Sequence, residues 1–472
     1  MSEPRYSIPE APKGWELVRM LGPGIVWAGM AIGGGELTLN PRVGAIFGIV
    51  TLWMPLLAIF LKWFMTVEIG RWSIYTGTSI REGFELLPGP RKWLNWLILF
   101  IGLYLGAVHI GGLVAMIGIV TSNLLPFLPP YLWSILIMVS FVALSWSGKY
   151  SVLEKAMMVS VALLTLTTFV VFIKIWPGLD FILQGFTFKI PTVTPEWAVT
   201  GFKISRNPLV EILPAMAFAG AGAINSLWYS DWILAKGFGV SAKYQLGSSN
   251  KAILGELKNV TSEEVNKLKG WFRVMLHDSW WGANLVTMLV TAIFIVNAVV
   301  ILNPLKQAPA GVGFILTLSK TFTETLGPWA RELYLVGAFA VLYSTMATLY
   351  DGYARLIDNS IGIVLPDWKL YNRINPLWRY RIWFLYGTLC NFFLVYLFNA
   401  VPVQFLQAAS WVEGTFMLPV VAFAIAYLTY KVLPGLYSKE HAIKVKPNWI
   451  FTAGTILAGC FYAGLIIYSF FL

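Results

Sequence analysis

Glu36 stands directly after Gly33-Gly34-Gly35, inside an otherwise apolar stretch that runs from about Leu21 to Trp53. That stretch is long enough to cross a bilayer. A carboxylate in hydrocarbon is expensive unless it meets water, an ion or a partner group. Each glycine costs about 1 kcal/mol of helix propensity against alanine, so three in a row predict an interruption. An ionisable side chain beside a helix broken at mid-membrane is the pattern of a transport site. The plainer reading is a small-residue packing face with Glu36 in a structural salt bridge, but close packing sets its glycines a turn apart, not in a run. The chemistry predicted here is the binding of an ion or a small polar solute.

A second stretch of the same kind, Ala217-Phe218-Ala219-Gly220-Ala221-Gly222-Ala223-Ile224-Asn225, lies in the middle of another apolar segment. Ala219, Gly220 and Gly222 support a helix poorly, and Asn225 adds a polar head. Glycine-interrupted segments at corresponding positions of two halves point to a transporter's binding site. Glu36, Asn225 and the carbonyls at the two breaks offer only oxygen, which suits Mg²⁺, Mn²⁺ or Ca²⁺. Exposed amides at half-helix N-termini would instead cradle an anion such as bicarbonate or a carboxylate. Both readings stay open on the residues alone.

The other charged residues in or near apolar segments divide by spacing. Asp278, after His277, is a candidate gate residue at the start of the seventh segment. Asp351 can reach Arg355 one turn on, and is a candidate for the pathway wall. Glu68 and Arg71, three apart, read as a structural pair, and Glu211 as a marker of the outer vestibule. His109 is alone in the third segment and is a candidate proton relay, since histidine titrates near neutrality. Paired acids, metal-ligand histidines and a nucleophile motif are all missing, so neither an enzyme nor a cofactor is expected.

These residues need an all-helical membrane scaffold. The 472 residues are 57% hydrophobic and only 12% charged, about half the charge of a soluble protein. The mean hydropathy is +0.69. About eleven apolar segments follow, near 21–50, 51–72, 93–121, 131–147, 152–176, 208–235, 272–302, 329–357, 379–400, 402–430 and 449–471. Pro-Gly clusters such as Leu87-Pro88-Gly89-Pro90 and Trp176-Pro177-Gly178 punctuate them. Thr261 and Glu264 form a capping box, predicting a short helix to Lys269. With the N-terminus cytoplasmic, roughly 25 Lys/Arg fall inside and roughly 7 outside, as the positive-inside rule requires. The net charge of +11 is therefore a topology signal, and no nucleic-acid partner is expected. The C-terminus is expected outside. Cys390 and Cys460 both lie in apolar runs, which implies no disulfide framework.

The first and sixth segments each open a block of about five helices, as an inverted repeat would. The expected division is a cytoplasmic segment 1–20, a first repeat 21–176, an outer loop 177–207, a second repeat 208–430, and a loop with an eleventh helix at 431–472. Over nearly its whole length the chain resembles the Nramp family of divalent-metal transporters. The likeness rests on Gly22-Pro23-Gly24, Phe47-Gly48, Leu52-Trp53, Arg71 through Thr76-Gly77, Asn225 through Tyr229-Ser230, Tyr343-Ser344-Thr345 and Gly352, in that order. It implies an all-α polytopic protein with the leucine/sodium-symporter fold, two inverted five-helix repeats plus one helix, with helices one and six unwound at the site.

The departures fall on the chemistry. Where the family reads Asp-Pro-Gly-Asn, this chain reads Gly33-Gly34-Gly35-Glu36, so the metal-binding aspartate has become Gly33 and the asparagine Glu36. The family's Met-Pro-His has become Gly222-Ala223-Ile224. Gln407 resembles a retained glutamine, with Glu413 near where a second would stand. The acids of the third segment are replaced by small residues near Gly112 and Ala115. The resemblance implies Glu36 and Gln407 as metal ligands. The expected protein is a monomeric secondary transporter in the lipid bilayer, moving a hard or partly hydrated divalent cation through a wide cavity without sulfur ligands and with little proton movement. Transport of a small anion or organic solute, and a non-transporting membrane sensor, are the alternatives.

Overall fold

Long apolar runs bounded by proline and glycine become helices because hydrocarbon leaves backbone amides and carbonyls no partners but one another. The computed structural model describes residues 8–20, 22–147, 150–240, 251–398 and 402–471, and no strand occurs among them. Residues 1–7 of the polar N-terminus and 241–250 of the longest polar loop lie outside the described residues.

The first segment is two helices, α1 (Pro23–Ala31) and α2 (Asn40–Phe47), joined through a wide π-helical turn at Gly35–Leu39. Then come α3 (Trp53–Thr76), α4 (Trp93–Leu124), α5 (Pro130–Ser147) and α6 (Tyr150–Lys174). The sixth segment splits into α7 (Leu209–Phe218), the single turn α8 (Ala223–Ser226) and α9 (Trp228–Lys236). Next, α10 (Ser262–His277) runs through a π turn at Asp278–Asn284 into α11 (Leu285–Ile301). The capping box is present, but the helix it starts does not stop at Lys269; Gly270 alone does not end it, and it continues into the seventh span. A further amphipathic helix, α12 (Phe314–Leu326), precedes α13 (Ala330–Val364) and α14 (Pro376–Phe398). The tenth segment is α15 (Pro402–Ser410), a π turn at Trp411–Phe416, and α16 (Met417–Tyr427); α17 (Trp449–Ser469) closes the chain. Seven described helical stretches are long and apolar enough to cross a membrane. The chain is a multi-pass membrane protein.

Two hydrogen bonds fix the ends of the bundle. Trp271 Nε1 donates to Pro9 O at 2.9 Å, tying the N-terminal segment to α10. Asn207 Nδ2, at the head of the sixth segment, donates to Ser469 O at 2.9 Å, at the opposite end. Between those ends, α4 lies along α13 and α3 along α17. Glu36, Lys62, Asp278 and Glu413 are all at most 1% exposed in this interior. Three of the four π turns among the described residues carry an acid: Glu36, Asp278 and Glu413. Such turns are rare and concentrate at functional sites.

Candidate functional site: buried charges set into a helix break

The break in the sixth segment frees backbone groups that a continuous helix would have paired. Helix α7 ends at Phe218, Ala219 is extended, and Gly220 has φ +72, the left-handed region that glycine reaches without steric cost. The Gly220 amide therefore cannot reach Met216 O, four residues back, and the Met216 and Ala217 carbonyls lose their helical donors. Charged side chains fill both gaps. The Gly220 amide donates to Glu36 Oε1 at 2.7 Å. Lys62 Nζ donates to Ala217 O at 2.8 Å and Met216 O at 3.2 Å. Tyr462 Oη also donates to Met216 O, at 2.8 Å.

The first break sits against the second. A Cβ on Gly35 would come within 2.6 Å of Phe218 O, so only glycine permits this approach. The interruption itself is shorter than three glycines predict. Helix α1 stops at Ala31, the turn occupies Ile32 and Gly33, and helical hydrogen bonding resumes with the Leu37 amide donating to Gly33 O at 2.9 Å. Gly34 and Gly35 are already in the resumed turn. The Gly33 amide donates to Glu36 Oε2 at 3.4 Å, so Glu36 spans both breaks.

Glu413 is the second buried carboxylate. The amide of Asn225, inside the short turn α8, donates to Glu413 Oε1 at 3.0 Å, an acid at a helical N-terminus. Tyr353 Oη donates to Glu413 Oε2 at 3.5 Å, and His109 Nδ1 lies 3.1 Å from Tyr353 Oη and 3.6 Å from Glu413 Oε2. The Lys62 ammonium acts electrostatically on both Glu36 and Glu413. A cavity of about 30 Å³, room for a water or two, has His109 and Asn225 on its wall, while Glu36, Lys62 and Glu413 do not line it. Gly34, Gly35, His109, Phe218, Gly222 and Asn225 are on its wall, with the His109 and Phe218 rings stacked at 4.6 Å. Thr345 is there too, and its buried Oγ1 has no hydrogen-bond partner.

The expected wide cavity without sulfur ligands is corrected on both counts. Met30 and His109 reach the wall, and Phe218 fills the space that the small residues leave. Gln407 does not join Glu36. Its Nε2 donates to Glu211 Oε2 at 2.7 Å, and Glu211 accepts from Arg42 Nε at 2.8 Å and Nη2 at 3.1 Å. Arg42 Nη1 also donates to Pro309 O. This network closes the end of the bundle near Asn207. At the other end, Asp278 accepts from the amides of Gly22 at 2.9 Å and Gly24 at 2.6 Å and from Tyr229 Oη at 3.0 Å. Asp278, the candidate gate residue, thus caps α1. Asp351 is half-exposed and paired with Arg355 at 2.8 Å, away from the cavity wall, while Glu68 and Arg71 pair at 3.0 Å.

Lys62 and Thr345 were missed as site residues. The signal for Lys62 was available: it is the only charge between Arg42 and Glu68 in an apolar segment. The signal for Thr345 was weak, since a helical Ser or Thr hydroxyl can bond a backbone carbonyl of its own helix.

Comparison with known proteins bears on the whole chain. The family model described as Nramp, natural resistance-associated macrophage protein-like, matches residues 24–464. An uncharacterized protein of Pasteurella multocida is 24% identical over 453 residues, 92% of this chain and 88% of that protein. Among solved structures, a mutant of the Eremococcus coleocola manganese transporter superposes with TM-score 0.63 at 16% identity, covering 99% of this chain and 91% of that one. The nucleobase-cation-symport-1 family transporter Mhp1, closed with bromovinylhydantoin bound, gives 0.52 at 11% identity over 99% and 96%. MhsT in complex with L-phenylalanine gives 0.54 at 12% identity over 98% and 99%. The chain shares their fold, two inverted helical repeats of the leucine/sodium-symporter type.

Proposed function

The chain belongs to the natural resistance-associated macrophage protein-like family, and on that premise we propose that it is a secondary transporter moving a hard or partly hydrated divalent cation, of the Mn²⁺/Mg²⁺ class, by alternating access. The observation that carries this reading is the convergence of two buried carboxylates, Glu36 and Glu413, on the helix breaks. The Thr345 hydroxyl and the carbonyls of Met216 and Ala217 extend an oxygen-rich set. An external anion fits less well, because the amides that would cradle it already hold the protein's own carboxylates. Gly220 serves Glu36 and Asn225 serves Glu413. The Arg42–Glu211–Gln407 network and the Asp278 cap serve as the two gates, with the Asp278 end cytoplasmic on the bias of basic residues.

Uptake into proteoliposomes tests this. Wild-type protein should carry Mn²⁺ or Mg²⁺, and Glu36→Gln, which keeps shape and removes charge, should lose at least about tenfold in cation affinity while staying folded. Cd²⁺ should show no large preference over Mn²⁺, since carboxylates dominate the set. Uptake of bicarbonate or an amino acid that is unchanged or improved in Glu36→Gln, with no cation uptake in wild type, would overturn the cation reading.

A further inference from the structure

Lys62 has no role in a site built only to attract cations. It projects from α3, is 1% exposed, and its ammonium is held by Ala217 O and Met216 O at the C-terminal end of α7. The C-terminus of a helix presents unpaired carbonyls and the negative end of the macrodipole, which is where a small cation binds. In broken-helix transporters such unwound carbonyls coordinate the ion. The groups facing Lys62 complete the picture. Glu36 comes from the turn after α1 and Glu413 from the tenth segment, and the Tyr462 hydroxyl of α17 donates to the same Met216 carbonyl. An ammonium bonded to two helix-end carbonyls and in the field of both carboxylates stands where a free cation would stand.

We propose that Lys62 is a tethered cation that holds the transported ion's place in the closed, substrate-free carrier, so that cation and ammonium compete for the carbonyls of Met216 and Ala217. This rests on the cation reading above and adds a regulation of the same site. A built-in competitor weakens affinity by design: the ion must displace one positive charge from the position it takes. With Glu36 and Glu413 both charged, Lys62 leaves the trio one negative charge; without Lys62 it carries two. The lysine also keeps the two acids from being buried uncompensated, which costs several kcal/mol per ion.

The test is a charge series at one position, in the full chain purified into nanodiscs, with Mn²⁺ binding followed by calorimetry. Lys62→Met removes the charge and keeps most of the volume. Lys62→Gln keeps donors for the carbonyls without charge, so it separates loss of charge from loss of packing. Both should bind Mn²⁺ at least about tenfold more tightly than wild type, from the removal of one close like charge. Lys62→Arg keeps the charge and should bind no more tightly than wild type. Binding to Lys62→Met with none to wild type also supports the tethered cation. If Mn²⁺ binds wild type, is lost in Glu36→Gln, and is unchanged or weaker in both neutral variants, the cation reading stands and the tethered cation falls. If Mn²⁺ binds neither wild type nor the neutral variants, both are overturned.

Discussion

Glu211→Gln should open the end of the pathway that lies near Asn207. The Glu211 carboxylate accepts three hydrogen bonds, from Arg42 Nε at 2.8 Å, Arg42 Nη2 at 3.1 Å and Gln407 Nε2 at 2.7 Å. Glu211 is 6% exposed, so solvent screens these contacts little. Neutralising the carboxylate turns charge-assisted bonds of about 1.5–3 kcal/mol into ordinary ones of about 0.5–1.5, a loss of about 1 kcal/mol each. Three such losses come to about 3 kcal/mol, in line with about 3–5 kcal/mol for breaking a buried ion pair. If the network holds the closed state, that energy shifts the closed–open balance by a factor on the order of 100. The assay uses a cysteine at Thr345 on the cavity wall, in a background where Cys390 and Cys460, the chain's two native cysteines, are replaced. A membrane-impermeant thiol reagent added on the Asn207 side should label Thr345→Cys on the order of 100-fold faster once Glu211→Gln is present. A rate within about twofold of the parent, in protein that unfolds at an unchanged temperature, would show that this network does not gate the pathway.

Two further outcomes follow from the same structure. Asp278→Asn weakens the acceptor of the Gly22 and Gly24 amides and of Tyr229 Oη, so the same cysteine should label faster from the opposite side and no faster from the Asn207 side. Arg355→Ala breaks a pair whose side chains are 46% and 47% exposed, so it should cost about 0–1 kcal/mol in stability and leave Mn²⁺ uptake unchanged. A large loss of uptake there would return Asp351 to the pathway.

What was legible in the sequence was local, and what was not depended on partners far along the chain. The two breaks could be read because glycine and alanine weaken a helix wherever they occur. Their extent could not: Gly34 and Gly35 pack in the helical turn that resumes after Ile32 and Gly33, where Gly35 lets that turn approach Phe218 of α7 and Gly34 packs against Leu113 and Leu406. Gln407 and Glu413 share a segment, yet they serve different networks. A π turn begins at Trp411 between them and changes the face that follows, and the partner of Gln407 lies 196 residues earlier. Lys62 shows the limit most plainly. A lone lysine in an apolar segment announces a buried charge, but not that its acceptors are two carbonyls about 150 residues away. Those acceptors exist only because Gly220 turns the chain.

That dependence explains how so many charges can be buried together. Taking Glu36, Glu413 and Lys62 out of water one at a time would cost several kcal/mol for each. Here the same interruption supplies compensation of both signs. The turn at Gly220 releases an amide for Glu36 and carbonyls for Lys62, and the restart at α8 presents the Asn225 amide to Glu413. A continuous sixth helix would spend those groups on itself and leave Lys62 without its carbonyls, Glu36 with the Gly33 amide and Glu413 with the Tyr353 hydroxyl. The broken helix is therefore the condition for the charges, and the charges in turn hold the break, since its orphaned amide and carbonyls have no water to turn to. An ion that enters such a site exchanges one set of satisfied partners for another, and does not fill an empty trap. Small differences in charge among Glu36, Glu413 and Lys62 can then move the balance between an occupied and a substrate-free carrier.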